Sequence, residues 1–483
     1  MVTDVLAAGL VLPRPGAAPA VGPSQVTGDR SGTVRAITPD WAAPADRWVL
    51  PAPVNAHDHG RSLATLAFGA ADDLLEVWIA GLGQEPKTDP YLRAAVAFGR
   101  MAEAGIAATN HCHNTADPDR LVAEAEAVAR AAQDVGIRVT FAVPIADRNP
   151  LVYEGASALV ESLDPSDQAA IRAQASRPVS TATQLDMART IAGFEHPLFK
   201  VQYGPVGPQW VQEGTLETLA ADSAATGRRL HMHLFETLWQ RQWADRTHAE
   251  GLVERLDRLG VLSPRLTVAH GIWLDDSDAA LLADRGVTVA VNTTSNLRLR
   301  SGIAPIARYR RHGLAYALGL DGMAMDDDDD ILREARLFWL LHRGFAGEAG
   351  ITAAELFDAV CVTGRPTLDA PATGGLAVGA PADLLVLDAT QMAGDVLAGA
   401  ADPVTLLTHR MSKAAVDRLV VAGRVVVDQG AITTIDLPSM KGELADQSAK
   451  RWRAAPPDLG RARRLQAAVD DHYRALQSIP AAG

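Results

Sequence analysis

From about residue 50 to about residue 370, short apolar runs alternate with amphipathic stretches. "WVLPAPVN", "IRVTFAVP", "LFKVQYG", "RRLHMHLF", "RLTVAHG", "GVTVAVN" and "GLAYALG" have the length and the β-branched content of strands. Helical patterns separate them. In "DPDRLVAEAEAVARAAQDVG", Asp117 can cap a helix, Pro118 suits its first turn and Gly136 stops it. "SDAALLADRG" also reads as helix. Repeated strand–helix alternation predicts a parallel sheet, and an α/β fold of the (β/α)8 TIM barrel type is its natural closed form. An open, doubly wound sheet has the same periodicity.

The pattern changes at both ends. Residues 1–50 read as short strands and turns. After residue 370, "GGLAVGAPADLLVLDAT" and "VDRLVVAGRVVVDQGAI" are short β runs with Gly turns and no long helix between them. Neither end is large enough to bury a core alone. Residues 1–50 and 371–435 are therefore expected to pair as a small β-sandwich, with the barrel over 51–370. Residues 436–483, which include "LGRARRLQAAVDDHYRALQS", read as a helical tail.

At 483 residues the chain fits one large barrel plus such an accessory unit. Its net charge of −13 argues against nucleic acid and anionic membranes as partners. The two cysteines, Cys112 and Cys361, lie far apart and indicate no disulfide framework, so a reduced, cytoplasmic protein is expected. "MVTDVLAAGLVLP" has no leading basic residue and contains Asp4, which favours a first strand over a signal peptide. No run is long and apolar enough to span a bilayer.

The chemistry-bearing residues fall at predicted strand ends. His57 and His59 follow an apolar run; two apart on a strand, they would share a face and meet one metal. An ordinary polar strand end is the plain alternative. "HMHLFET" repeats the spacing with His231 and His233, and Glu236 lies just beyond. His270 ends "VAHGIWL" and Asp321 ends "ALGLDGMA". Each signal is weak alone, and most Asp-Gly pairs are only turns. Their order at successive strand ends points to a site at the C-terminal face of a barrel.

These pieces resemble the amidohydrolase superfamily, in its cytosine deaminase-like and chlorohydrolase/guanine deaminase-like branch. The likeness runs through "VNAHDHG", "HMHLFET", "VAHGIWLDDSDAALLADRGVTVAVNTTSNLRLRSGIAP", "LGLDGMA" and "GGLAVGAPADLLVLD", about residues 45–430. It implies that His57, His59, His233 and Asp321 bind one divalent metal, zinc or else iron. It also implies that Glu236 and His270 are catalytic without being permanent ligands. Bound metal lowers the pKa of water toward ~7 and so supplies hydroxide. Asp321 would take the water's proton, Glu236 would protonate a ring nitrogen and His270 would hydrogen-bond the attacking oxygen.

The expected activity is hydrolytic deamination of a small nitrogen heterocycle, by a homodimer or homotetramer. Hydrolysis of a cyclic amide or of a chloro-substituted ring is the alternative, and a non-catalytic barrel used in assembly is the remote one. Arg61, His113, Gln202 and Asn296 are the candidate substrate contacts. Three departures bear on the substrate. Val206 stands where nucleoside-deaminating relatives often have His, no Ser closely follows Asp321-Gly322, and Arg61 replaces an apolar residue. Arg61 would meet a substrate carbonyl or carboxylate, or else form a structural ion pair. Lys200 sits too early in its strand to be the carboxylated Lys of two-metal relatives, and His111, Cys112 and His113 are expected to line the pocket or pack behind it. The acidic run Asp326–Asp330 is read as a cap on the helix that follows.

Overall fold

A computed structural model describes residues 5–477 apart from 30, 116, 149–150, 175–178 and 398. Residues 1–4, with Asp4 in the first predicted strand, and 478–483 at the end of the predicted tail lie outside the described residues. The chain opens with β1 (Val5–Ala8), β2 (Leu10–Val11), β3 (Ser24–Gly28), β4 (Val34–Pro39) and β5 (Arg47–Pro51). β1, β3 and β4 form a three-stranded antiparallel sheet.

The barrel strands follow: β6 (Val54–Asn55), β7 (Ala108–Cys112), β8 (Arg138–Ile145), β9 (Phe199–Pro205), β10 (Leu230–Leu234), β11 (Leu266–His270), β12 (Thr288–Val291) and β13 (Ala315–Leu318). They form one parallel sheet in chain order. Ala56 N donates to Leu318 O at 2.8 Å and draws the first strand against the last. Every residue of β7 and β11 is buried, as a parallel sheet covered on its outer face by helices requires. This is a (β/α)8 barrel. One local expectation changes: Asp117 accepts from Asp119 N and heads a short 3-10 turn, Pro118–Arg120, which then feeds the helix Leu121–Val135. Gly136, at φ 92°, ends that helix as expected.

After the barrel come β14 (Leu384–Asp388), β15 (Val416–Val421), β16 (Arg424–Asp428) and β17 (Ala431–Ile432). They join β5 and β2 in a six-stranded sheet, in which Leu385 pairs with Leu50. Leu6, Val26 and Val34 from the small sheet pack with Val49, Leu384 and Val420 from the large one. N- and C-terminal segments thus share one apolar core. Between β14 and β15 the chain forms a helix, Pro403–Arg410, where the sequence suggested none of length. Its start signal is ordinary: Asp402 accepts from Val404 N and Thr405 N, and Pro403 takes the first position. The tail forms helices Leu437–Ala454 and Leu459–Gln477. The second brings Tyr473 against Trp239, with parallel rings 4.2 Å apart. No described helix is long and apolar enough to cross a membrane.

Candidate active site

β6 is only two residues long, so His57 and His59 lie just past it rather than on it. Their rings still face one cluster, 5.2 Å apart and nearly perpendicular. Asp58, between them, turns away from this cluster. Its carboxylate accepts from Asn55 Nδ2 (2.7 Å), Gly60 N (2.7 Å) and Gly322 N (3.0 Å). It therefore ties the turn after β6 to the turn after β13.

Hydrogen bonds fix how the rings present their nitrogens. His59 Nδ1 lies 3.0 Å from Cys112 O, and His233 Nδ1 lies 2.7 Å from Val206 O. A carbonyl only accepts, so both rings carry their hydrogen on Nδ1 and turn a lone pair on Nε2 inward. Those two Nε2 atoms are 3.4 Å apart. Asp321 Oδ1 lies 3.2 Å from His57 Nε2 and 3.3 Å from His59 Nε2. His231 stands behind this group, its Nε2 2.8 Å from His57 Nδ1. Burial lowers the pKa of His57, His59 and His231, and takes His233 and His270 down to about 4. All five rings are neutral at pH 7.

Converging lone pairs beside a carboxylate repel one another unless a cation lies between them. His57 Nε2 is buried without a hydrogen-bond partner. Ligand atoms of His57, His59 and Asp321 all lie within 4.8 Å of one another, as do those of His57, His233 and His270. The donor set thus fits a divalent metal. Burial alone would raise the Asp321 pKa; the surrounding imidazoles of His57, His59 and His270 outweigh it and hold the carboxyl well below the carboxylate range.

Glu236 and His270 sit beside this group, with Glu236 Oε2 3.4 Å from His270 Nε2. Burial, reinforced by Asp321 and Glu76, pushes the Glu236 carboxyl well above its ordinary range, toward its proton-bearing form. Phe235, His270 and Asp321 have φ of 49°, 73° and 60°, left-handed values uncommon outside glycine. Such strain is held only where the surroundings over-determine it, and it gathers at functional sites.

The group lies at the floor of a cavity of about 660 Å³ whose walls include Arg61, Trp78, Tyr153, Trp210 and Tyr473. Two predicted substrate contacts, Arg61 and His113, line it. The other two do not. Gln202 is fully buried with its Nε2 2.7 Å from Asn110 Oδ1, so its amide serves the barrel interior. Asn296 is buried behind His270, with Oδ1 2.9 Å from Nδ1 of that ring; it orients the imidazole instead of meeting substrate. His113 pairs with Glu124 at 2.9 Å and with His111 at 3.1 Å.

Lys200 pairs in register with Thr140 on β8, and its charge acts on Asp369, away from the histidines. None of Asp326–Asp330 lines the cavity. Asp330 accepts from Leu332 N and Arg333 N, Asp327 pairs with Arg298, and Asp328 pairs with Arg333 and Lys413.

Sequence reasoning missed several parts. Ser295 Oγ donates to Asp321 Oδ2 at 2.5 Å, so the serine absent after Asp321 comes from the "NTTSN" segment instead. Glu76 accepts from Tyr153 and Thr237, while its buried Oε2 lacks a partner. In sequence, Glu76 is one acid on an amphipathic helix, with no local signal. Tyr473 reaches the cavity from the last helix, and no short motif ties it to the barrel.

Residues 48–426 match the Amidohydrolase family. A 5′-deoxyadenosine deaminase from Methanothermobacter thermautotrophicus is 26% identical over 395 residues, 80% of this chain and 84% of the relative. Deaminase relatives from Methanosarcina barkeri and Nitratidesulfovibrio vulgaris align over 54% and 50% of their own length. An adenosine deaminase from Xanthomonas campestris, solved with bound zinc, matches with a TM-score of 0.74 at 23% identity, over 93% of this chain and 98% of its own. Atrazine chlorohydrolase from Arthrobacter aurescens TC1, complexed with zinc, gives a TM-score of 0.75 at 21% identity, over 92% of this chain and 100% of its own. At these identities the two structures speak for the fold.

Proposed function

Because the chain belongs to the amidohydrolase family, we propose that it is a metal-dependent hydrolase that removes an amino group from a small nitrogen heterocycle. His57, His59, His233 and Asp321 would hold one divalent ion, zinc in the first instance. When bound, the ion would supply water acidic enough to lose a proton near neutral pH.

Asp321, whose carboxyl is held in its ionised form, would be the group placed to receive a proton from such water. Glu236, carrying a proton by virtue of its burial, passes it to the ring nitrogen next to the attacked carbon as charge builds there. His270, fixed by Asn296, hydrogen-bonds the incoming oxygen. Water adds at the carbon that bears the amino group; Asp321 would then return its proton to the amino nitrogen, which leaves as ammonia, while the new hydroxyl gives its proton back to Glu236. The mostly apolar cavity above suits a planar ring. Relatives named for 5′-deoxyadenosine support an adenine-type ring as the first substrate to try. Two free, buried cysteines accord with work in the reducing cytoplasm.

One observation carries this reading: Asp321 Oδ1 lies 3.2 and 3.3 Å from His57 and His59 Nε2, and His59 Nε2 lies 3.4 Å from His233 Nε2, beside a carboxyl held toward its protonated form. The test is ammonia release by zinc-loaded protein over a panel of amino-substituted purines, nucleosides, pyrimidines, pterins and triazines. Turnover of at least one, abolished by chelation and restored by metal, supports the reading. Chloride release from chlorotriazines with no ammonia from any amine would replace it.

A further inference from the structure

Arg61 is a departure that the catalytic scheme leaves unused. Its side chain lines the cavity next to His59 and Asp321 and is only 9% exposed. The guanidinium lies over the Trp78 ring, with Cζ 5.0 Å from the ring centre. It has no carboxylate oxygen within 4.0 Å and no side-chain hydrogen bond among the described residues, and its Nε is fully buried without a partner. A guanidinium keeps its charge under all ordinary conditions. Burying one without a counter-ion is costly, because the lost hydration is not replaced.

Its placement is nonetheless well built. The Arg61 carbonyl accepts from Arg100 Nη2 at 2.7 Å, and Arg100 is itself paired with Asp329 at 2.8 Å. Gly322, at φ 62°, leaves room for the stem: a Cβ there would come within 2.9 Å of Arg61 Cγ. The turn carrying Gly322 is pinned by Asp58. Backbone, stem and ring stacking all hold the fork at the cavity wall with its donors unspent.

We propose that the substrate carries a carboxylate, which Arg61 takes through its paired N–H groups on the Trp78 side of the cavity. This deepens, and rests on, the reading of the site as a heterocycle deaminase. The planar fork matches a planar carboxylate. The cavity walls also hold Glu76, Asp147, Glu236 and Asp321, against one other cation, the exposed Arg148. Such a lining suits a single negative charge better than a phosphate dianion, which would need several cations.

Calorimetry with zinc-loaded protein tests this. The probes are amino-substituted pyrimidine, purine and triazine carboxylates, each paired with its carboxamide. At least one carboxylate should bind about 30-fold more tightly than its amide, the worth of a charged hydrogen-bond pair. Arg61→Gln should erase that preference while leaving the amide's affinity in place and the melting temperature no lower than that of the wild type. Arg61→Lys should keep part of it. Equal affinity for acid and amide across the whole panel, or a preference that survives in Arg61→Gln, overturns the proposal. Ammonia assays on the same compounds separate the two readings. Carboxylate preference without ammonia release would sink deamination alone, and ammonia release from uncharged rings with no carboxylate bound more tightly than its amide would sink the carboxylate alone.

Discussion

Ser295 Oγ donates to Asp321 Oδ2 at 2.5 Å, and this one contact decides which carboxylate oxygen faces the histidines. With Oδ2 engaged, Oδ1 is left 3.2 and 3.3 Å from His57 and His59 Nε2. Asp321 is also held at a left-handed φ of 60°, which a free loop would relax. Ser295→Ala removes the contact without changing the donor set. Metal affinity should fall roughly 10- to 100-fold, as for other groups that orient a metal ligand. Competition with a chromophoric chelator measures it. Unchanged affinity would mean that backbone geometry alone orients Asp321.

The converging nitrogens predict about one tightly held divalent ion per chain. His233→Ala removes an imidazole whose tautomer is fixed by Val206 O. Elemental analysis after dialysis should show most of the metal gone. His231→Ala makes the contrast, because His231 reaches the cluster only through His57 Nδ1; metal should be weakened and not lost. Two ions per chain, with a mass increase at Lys200, would contradict the single-ion arrangement.

Glu236→Gln tests the proton donor. Gln keeps the size and can keep the contact with Ser301, but it has no proton to give. Turnover should drop by ~10²–10⁴ while metal content and melting temperature hold. Activity near that of the wild type would remove Glu236 from the chemistry.

The acidic run separates substrate binding from helix capping. Asp330 is 2% exposed; its Oδ1 accepts from Leu332 N and Arg333 N, and its Oδ2 accepts from Lys413 N at 3.0 Å. Asp330→Ala should cost ~0.5–2 kcal/mol as a lost cap, somewhat more with the Lys413 amide stranded. The Michaelis constant should stay put. A lower melting temperature with unchanged substrate affinity is the expected pair of results; the reverse pair would place the run at the cavity.

Much of this was readable along the chain because barrel strands have local periodicity and put their chemistry at one end. His57, His59, His233, Glu236, His270 and Asp321 each end or follow such a run, and the structure gathers them. What was not readable depends on contacts between distant segments. Gln202 and Asn296 were candidate substrate contacts, yet Gln202, in mid-strand, turns its amide to Asn110 inside the barrel, and Asn296, on the short helix Thr293–Arg298, stands behind His270. Glu76, Ser295 and Tyr473 gain their places from helices and loops far away in sequence. The small sheets were legible only as short β runs; the sharing of one core by Val26 and Leu384 is a tertiary fact.

Glu334 makes stability depend on pH near neutrality. It is buried at 3% exposure beneath the segment that carries Ser295 and Asn296, where it accepts from Thr294 N at 3.0 Å and from the Thr294 hydroxyl. Burial outweighs these bonds and raises its pKa from 4.5 to about 7. Between those two values the folded chain keeps a proton that the unfolded chain has released. Raising the pH through that window therefore favours unfolding, by ~1.4 kcal/mol per pH unit for one proton. The contribution is fully present below the unfolded value, and its loss is complete once pH has passed about 7. Across the window this amounts to roughly 3 kcal/mol. Glu334→Gln cannot titrate, yet its amide can accept from Thr294 N and donate to the hydroxyl. Thermal melts of both metal-loaded proteins at pH 5, 6, 7 and 8 should therefore diverge, the wild type losing ground to the variant as pH rises and the gap levelling off above pH 7. Parallel curves across that range would mean that Glu334 is already ionised in the folded protein, and that the Thr294 bonds outweigh its burial.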